Sequence, residues 1–205
     1  MITVVGNLKG GTGKSTVVFN LALWLLDRGT KVSVYDLDPQ ATLRDVADLR
    51  AEEGFEPRLS VGTTVPKPGN GEILIDVGTS DMEALRAAVS LANRIIIPVA
   101  PSQADVWSTQ RFLEIISQSS KKRPQLFGFV NRADTHRATR ENDETEAALR
   151  QIAGLEVLPA RLGQRIVFRH SFSEGLAVFE LEPSGKATQE LNSLAEAVFT
   201  SVNKR

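Results

Sequence analysis

Residues 9–16 read Lys-Gly-Gly-Thr-Gly-Lys-Ser-Thr, and no other part of the chain constrains the fold as tightly. Before this octapeptide lies the short β-branched run Ile2–Val5. After it, the stretch Lys14–Asp27 carries Val17, Val18, Leu21 and Leu25 at helical spacing, with Gly29 just past its end as a C-cap signal. A strand, a glycine-rich loop and a helix in that order form the context that a phosphate-binding loop requires. Gly10, Gly11 and Gly13 let backbone N–H groups turn inward onto phosphate oxygens, and the helix N-terminus adds its partial positive charge. Thr12 and Thr16 lie within the same cradle. Lys14 is placed to reach the β- and γ-phosphates, and the Ser15 hydroxyl to ligate Mg²⁺. The loop departs from the plain G-x-x-x-x-G-K-[ST] pattern, because Leu8 stands where that pattern needs glycine. It carries instead a second lysine, Lys9, five residues before Lys14. The alternative is a glycine-rich turn that binds nothing, and the strand, the helix and the two lysines weigh against it.

The rest of the chain repeats the alternation. Ile2–Val5, Val32–Tyr35, Ile73–Ile75, Ile95–Val99, Leu126–Val130 and Leu155–Leu158 are brief, β-branched and bounded by turn or polar residues, which predicts buried strands. Helical patterns cover Lys14–Asp27, Thr42–Ala51, Asp81–Leu91, Ser108–Gln118 and Arg140–Ile152. A shorter one falls at Val167–Phe172, and a last at Ser184–Val202 with Leu191, Leu194, Ala195, Val198, Phe199 and Val202 on one stripe. Arg58–Glu72, with Pro66, Pro68, Gly69, Asn70 and Gly71, reads as a surface loop. Strands alternating with helices predict an α/β fold: one P-loop domain over residues 1–205, with a mostly parallel twisted sheet covered by helices on both faces. Ligands of such sheets sit at the carboxyl ends of the strands.

Four further sites carry candidate chemistry. Asp76 ends the run Ile73-Leu74-Ile75, at a strand's carboxyl end, where an acid can hold Mg²⁺ through water. The alternative role, a helix cap, suits Asp81 better because Asp81 directly precedes the next helical pattern. Asp36 and Asp38 flank Leu37, so both can face one catalytic edge; Asp36 can equally be a structural hydrogen-bond acceptor. Asn131 follows a strand, where its amide can pair with the donor and acceptor edge of adenine, with Arg132 and Pro159 walling the base. His136 and His170 have no acidic partner at metal spacing and read as surface residues. Trp24 reads as core. Trp107 reads as core too, with a dimer or partner contact as the alternative.

Composition excludes several classes. With no cysteine the chain has no disulfide, thiolate zinc site or cysteine-held cluster, which fits a reducing cytoplasm. A net charge of −1 gives the whole molecule no field for nucleic acid, so DNA contact requires a local patch. No run approaches the length of a membrane span, and the N-terminus lacks the marks of a signal peptide.

The motifs together resemble one family. Lys9-Gly10-Gly11-Thr12-Gly13-Lys14-Ser15-Thr16 is similar to the deviant Walker A motif of ParA/MinD ATPases. Asp36-Leu37-Asp38-Pro39-Gln40 resembles the second acidic motif of ParA proteins, and Ile73–Asp76 the Walker B strand. Pro98–Ser102, Asn131-Arg132 and Arg169–Gly175 resemble later segments. The resemblance implies that Lys9 reaches across an ATP-bound homodimer to the other subunit's phosphates. It further implies that Asp38 orients the attacking water and that Asp36 lies near the Mg²⁺ shell. It implies slow ATP hydrolysis, sequence-independent DNA binding, and an adaptor or activator partner of the ParB or cargo-adaptor kind that resets the cycle. The setting is then cytoplasmic and nucleoid-associated, and the job is positioning or segregating a cargo. Arg165, Arg169 and Lys186 are the candidate DNA contacts; Arg111–Arg140 holds a second set of basic residues, Arg137 among them. Relatives carry Pro-Pro after the Walker B acid, whereas this chain reads Val77-Gly78-Thr79-Ser80, leaving Gly78 to offer a backbone N–H near the γ-phosphate. The first strand begins at Ile2, which fits the small ParA type. Two rivals share the fold. A MinD-like membrane-surface ATPase needs a basic amphipathic C-terminal helix, and here only Lys204 and Arg205 are basic at that end. A small-molecule ligase is disfavoured by Lys9 and by the Asp-x-Asp-Pro-Gln motif.

Overall fold

The central strand β1 (Ile2–Val5) is buried along its whole length, which is why four consecutive β-branched residues are tolerated there. It lies between β4 (Glu72–Asp76) and β5 (Arg94–Val99). In the computed structural model, which describes residues 1–136 and 140–200, the sheet has eight parallel strands in the order β3-β2-β4-β1-β5-β6-β7. The remaining strands are β2 (Val32–Asp36), β3 (Val61–Gly62), β6 (Gln125–Ala133), β7 (Glu156–Val157) and β8 (Leu162–Gly163), the last pairing with the far end of β6. Arg137, Val202, Lys204 and Arg205 lie outside the described residues.

Helices cover both faces. On one side α1 (Lys14–Asp27), α2 (Thr42–Glu52), α6 (Ile166–Ser173), α7 (Val178–Leu181) and α8 (Lys186–Phe199) enclose Phe19, Leu21, Leu43, Leu191 and Leu194. On the other, α3 (Met82–Leu91), α4 (Gln103–Ser119) and α5 (Glu141–Arg150) enclose Leu85, Val89, Phe112 and Leu149. Truncating a buried residue such as Phe112 to alanine costs about 3–5 kcal/mol, since the cavity adds to the lost transfer energy.

Register brings the acids together. Val5 lies opposite Asp76, and Asp36 lies opposite Asp76 on the other side. The loop leaving β1 therefore opens beside two carboxylates from neighbouring strands.

Three predicted features change. Within the expected loop 58–72, Val61 and Gly62 pair with Val34 and Tyr35; two residues are too few to show a period. Helix α4 starts at Gln103 instead of Ser108, because the Ser102 side chain accepts from the Asp105 N–H and caps it. Trp107 consequently falls on the outward side of α4 and is 51% exposed, not core. By contrast Trp24 is buried, its indole N–H donating to Asn192 at 2.8 Å, and both described histidines are exposed. Asp81 caps α3 by accepting from Glu83 and Ala84, as its position predicts.

Candidate functional site

The loop between β1 and α1 needs glycine for two separable reasons. Gly11 and Gly13 have φ of 75° and 86°, in the left-handed region. At Gly13 there is also no space: a Cβ would lie 2.6 Å from the Asn131 amide nitrogen. That amide donates to the Thr12 carbonyl at 2.6 Å, so Asn131, at the end of β6, holds the loop from outside. Asn7 holds its start. It is fully buried, donates to the Pro98 carbonyl at 3.0 Å, and accepts from Ser108 and from the Lys9 N–H. Sequence reasoning missed Asn7, because both of its long-range partners lie over 90 residues away.

Lys14 is buried and its Nζ donates to the Lys9 carbonyl at 3.2 Å. Burial lowers its pKa, and the negative charges of Asp76 and Asp38 work against that shift. One ammonium is thus held over an anion-shaped loop and faces two carboxylates.

The three acids are not equivalent. Asp76 is almost wholly buried, and neither of its oxygens has a hydrogen-bond partner. Burial raises its pKa to about 7; Ser15 sits beside it and pulls the other way, though no hydrogen bond of good geometry forms. An orphaned, buried carboxylate beside a serine hydroxyl fits an outer-sphere Mg²⁺ site. Among the described residues no cluster of three or more histidines, cysteines or acids is arranged to cage a metal, so an ion held here would take its remaining ligands from substrate oxygens and water. Asp36 is different. Its Oδ1 accepts from the Asp38 N–H, and its Oδ2 from the Leu43 and Arg44 N–H groups. It organises the loop and anchors the start of α2, the structural acceptor role that the sequence left open beside a place near Mg²⁺. Asp38 is half-buried, its Oδ1 accepting from the Gln40 N–H at 3.0 Å.

Lys9 is tied down within the chain. Its Nζ pairs with Asp105 Oδ2, which also accepts from Ser102, while the lysine side chain remains 45% exposed. Asp105 itself is buried, with Oδ1 unpartnered. No sequence signal marked this pair, 96 residues apart.

Beside the loop lies a cavity of about 450 Å³, lined among others by Asn131, Arg132, Gln164, Arg165, Ile166 and Arg169. Asn131 and Arg132 therefore line this cavity together. Pro159 does not: it sits on a separate shallow depression with Lys186, so it does not wall this pocket. The basic residues also separate. Arg165 donates through Nε and Nη2 to Glu190 and lines the cavity, and Arg169 lines it too. Lys186, the first residue of α8, is exposed away from it. The three do not form one free patch.

Fold and site together define a nucleotide-binding protein of the P-loop type. The profile of the CobQ/CobB/MinD/ParA nucleotide binding domain matches residues 3–178, and the chain belongs to that family. Maintenance of carboxysome distribution protein A of Halothiobacillus neapolitanus is 29% identical over 208 residues, covering 96% of this chain and 95% of that protein. The chromosome-partitioning ATPase Soj of Thermus thermophilus is 24% identical, covering 98% of this chain and 96% of its own. Among solved structures, the ATP complex of Cyanothece McdA superposes with a TM-score of 0.80 at 18% identity, covering 100% of this chain and 96% of that one. MinD of Pyrococcus horikoshii OT3 with Mg-ADP gives 0.76 at 21% identity, covering 98% and 96%. At such identities the structural likeness speaks for the fold alone.

Proposed function

We propose that this chain is an ATPase that dimerises around ATP, binds DNA without sequence preference, and positions or segregates a cargo. The observation that carries the reading is the pairing of a preformed phosphate loop with the buried, unpartnered Asp76 carboxylate. A site for anion and cation together suits a nucleotide triphosphate with Mg²⁺. The named relatives act in carboxysome distribution and chromosome partitioning, which supports cargo positioning as the purpose.

Each residue then has a role. Gly10, Gly11, Thr12 and Gly13 present N–H groups to the phosphates, Lys14 neutralises the transferred phosphoryl group, and Thr16 borders the base pocket. Ser15 and Asp76 hold Mg²⁺, which when bound neutralises charge on the phosphate oxygens. Asp38 holds the attacking water through the oxygen that Gln40 leaves free. Lys9 leaves Asp105 and crosses to the partner subunit's nucleotide, so that dimerisation depends on ATP. A partner protein that stimulates hydrolysis resets the cycle; the solved MinC:MinD cell division protein complex of Aquifex aeolicus, in which a protein of the same fold is bound to a second one, supports this part of the reading. No described helix is long and apolar enough to cross a membrane. Exposed basic residues of the dimer, Lys186 among them, contact the nucleoid.

The test is phosphate release and light scattering with ATP·Mg²⁺. Wild type should turn over slowly and dimerise. Asp38→Ala should dimerise without turnover, and the added change Lys9→Ala should return it to a monomer. Hydrolysis by Asp38→Ala at the wild-type rate would overturn the catalytic assignment, and an undiminished dimer with Lys9→Ala would overturn the bridging role.

A further inference from the structure

Gly78 follows the metal acid by two residues, at a place where φ is not in the left-handed region. Its backbone conformation therefore does not require glycine. Space does. A Cβ built at Gly78 would lie 2.5 Å from Asp38 Cγ and 2.6 Å from each of its carboxylate oxygens, and these are the three nearest heavy atoms. Any side chain here must displace the carboxylate, because real Cβ contacts are never so short.

Asp38 is fixed on its other sides. Its own N–H donates to Asp36 Oδ1 at 3.0 Å, its Oδ1 accepts from Gln40 N–H at 3.0 Å, and its carbonyl accepts from the Ala41 N–H at 2.8 Å. The loop after β4 brings Gly78 against the carboxylate, and there is room for that approach because residue 78 lacks a side chain. Gly78 is buried, so the contact is also shielded from water.

From this juxtaposition we infer that Gly78 is a positioning residue for hydrolysis: its bare backbone is the platform on which the Asp38 carboxylate rests at the angle needed to hold the attacking water. The inference rests on the proposed role of Asp38 and adds the part that sets its geometry. The three atoms nearest a methyl at residue 78 all belong to the Asp38 carboxylate and none to backbone, so the clash falls first on that side chain and not on the fold. The displaced group is the one on which turnover depends, and a displacement of about 1 Å at a reacting group costs on the order of 100-fold. The substitution also keeps the backbone N–H, which separates a platform from a phosphate donor.

The experiment is a cycle of four proteins: wild type, Gly78→Ala, Asp38→Ala and the double variant. Steady-state turnover, calorimetric ATP·Mg²⁺ affinity and melting temperature are read for each. Gly78→Ala should lose about 100-fold in kcat with ATP affinity and melting temperature unchanged, and adding it to Asp38→Ala should change nothing further. Wild-type kcat in Gly78→Ala, alongside an inactive Asp38→Ala, overturns the inference and leaves the role of Asp38 standing. Loss of ATP affinity or of folded protein in Gly78→Ala also overturns it, since the methyl would then disturb more than Asp38. Full turnover by Asp38→Ala removes the parent reading and the inference with it.

Discussion

The two ends of the proposed nucleotide site are built in opposite ways. The phosphate end is one continuous loop with a strand before it and a helix behind it, faced by acids that strand register alone brings alongside. The cavity proposed for the base is assembled from α1, the tip of β6, the β8 segment and α6, whose residues run from Gly13 to Ser173. The first is locked by glycine geometry and by buried hydrogen bonds from Asn7 and Asn131. The second is walled by long cationic side chains and by Ile166, which is 62% exposed. Rigid, buried donors recognise charge strongly, whereas mobile, solvated ones add contact area at an entropic cost. Most of the affinity should therefore reside at the phosphate end, and substitutions there should have the larger effects.

Lys14→Ala should produce the greatest loss. Charge-assisted hydrogen bonds are each worth about 1.5–3 kcal/mol, so losing contact with two phosphates weakens ATP binding by roughly 100-fold or more. Calorimetry measures it directly.

Asp76→Asn comes next and has a pH signature. Burial raises the Asp76 pKa from 3.8 to about 7, so the folded state holds a proton that the unfolded chain has already lost. Its contribution to stability is present below 3.8 and is lost as pH rises through about 7. Without nucleotide, Asp76→Asn should melt higher than wild type above pH 7 and match it in acid, by about 2–4 °C per kcal/mol gained. The same variant should lose roughly 10–100-fold in Mg²⁺-dependent ATP affinity, the usual cost of removing an outer-sphere partner. In wild type, metal affinity should rise with pH through about 7 as the competing proton leaves. Thermal melts and Mg²⁺ titrations across pH check both signs.

At the base end, Arg132→Ala should weaken ATP binding by no more than about tenfold, the scale of one exposed cationic contact with a base. The loss should vanish when inorganic tripolyphosphate replaces ATP. An effect on both ligands would place Arg132 at the phosphates and erase the contrast between the two ends.

The smallest expected change is outside the site. Lys186→Glu should leave nucleotide affinity intact and lower the salt slope of DNA binding by about one per subunit. Fluorescence anisotropy on unrelated duplexes across a salt series reads it. The corresponding change at Arg165 would be less informative, because that guanidinium is committed to Glu190 and lines the nucleotide cavity.

The same division governs what was legible in the sequence. Lys14–Asp27 and Ile2–Val5 were predicted with the bounds observed, because loop, strand and helix signals lie within one short stretch. Asp76 was legible as the end of an apolar run. What the sequence hid was every partnership between distant residues. The occupation of Asp36 by the amides of α2, the pairing of Lys9 with Asp105, and the support of the loop by Asn7 and Asn131 are set by tertiary approach. Arg165 and Arg169 carried the right charge for DNA, but composition does not reveal that one already pairs with Glu190 and that both face the cavity. Trp107 departs from its expected place in the core for a local reason, the early cap of α4 by Ser102.

The most direct test of the central claim is calorimetric titration of the wild-type protein with ATP·Mg²⁺, tripolyphosphate·Mg²⁺ and adenosine under one set of conditions. A site built around a rigid phosphate loop and the Asp76 acid predicts tight binding of ATP, measurable Mg²⁺-dependent binding of tripolyphosphate, and no detectable heat from adenosine. Adenosine binding as tightly as ATP, or tripolyphosphate failing to bind with Mg²⁺ present, would contradict it.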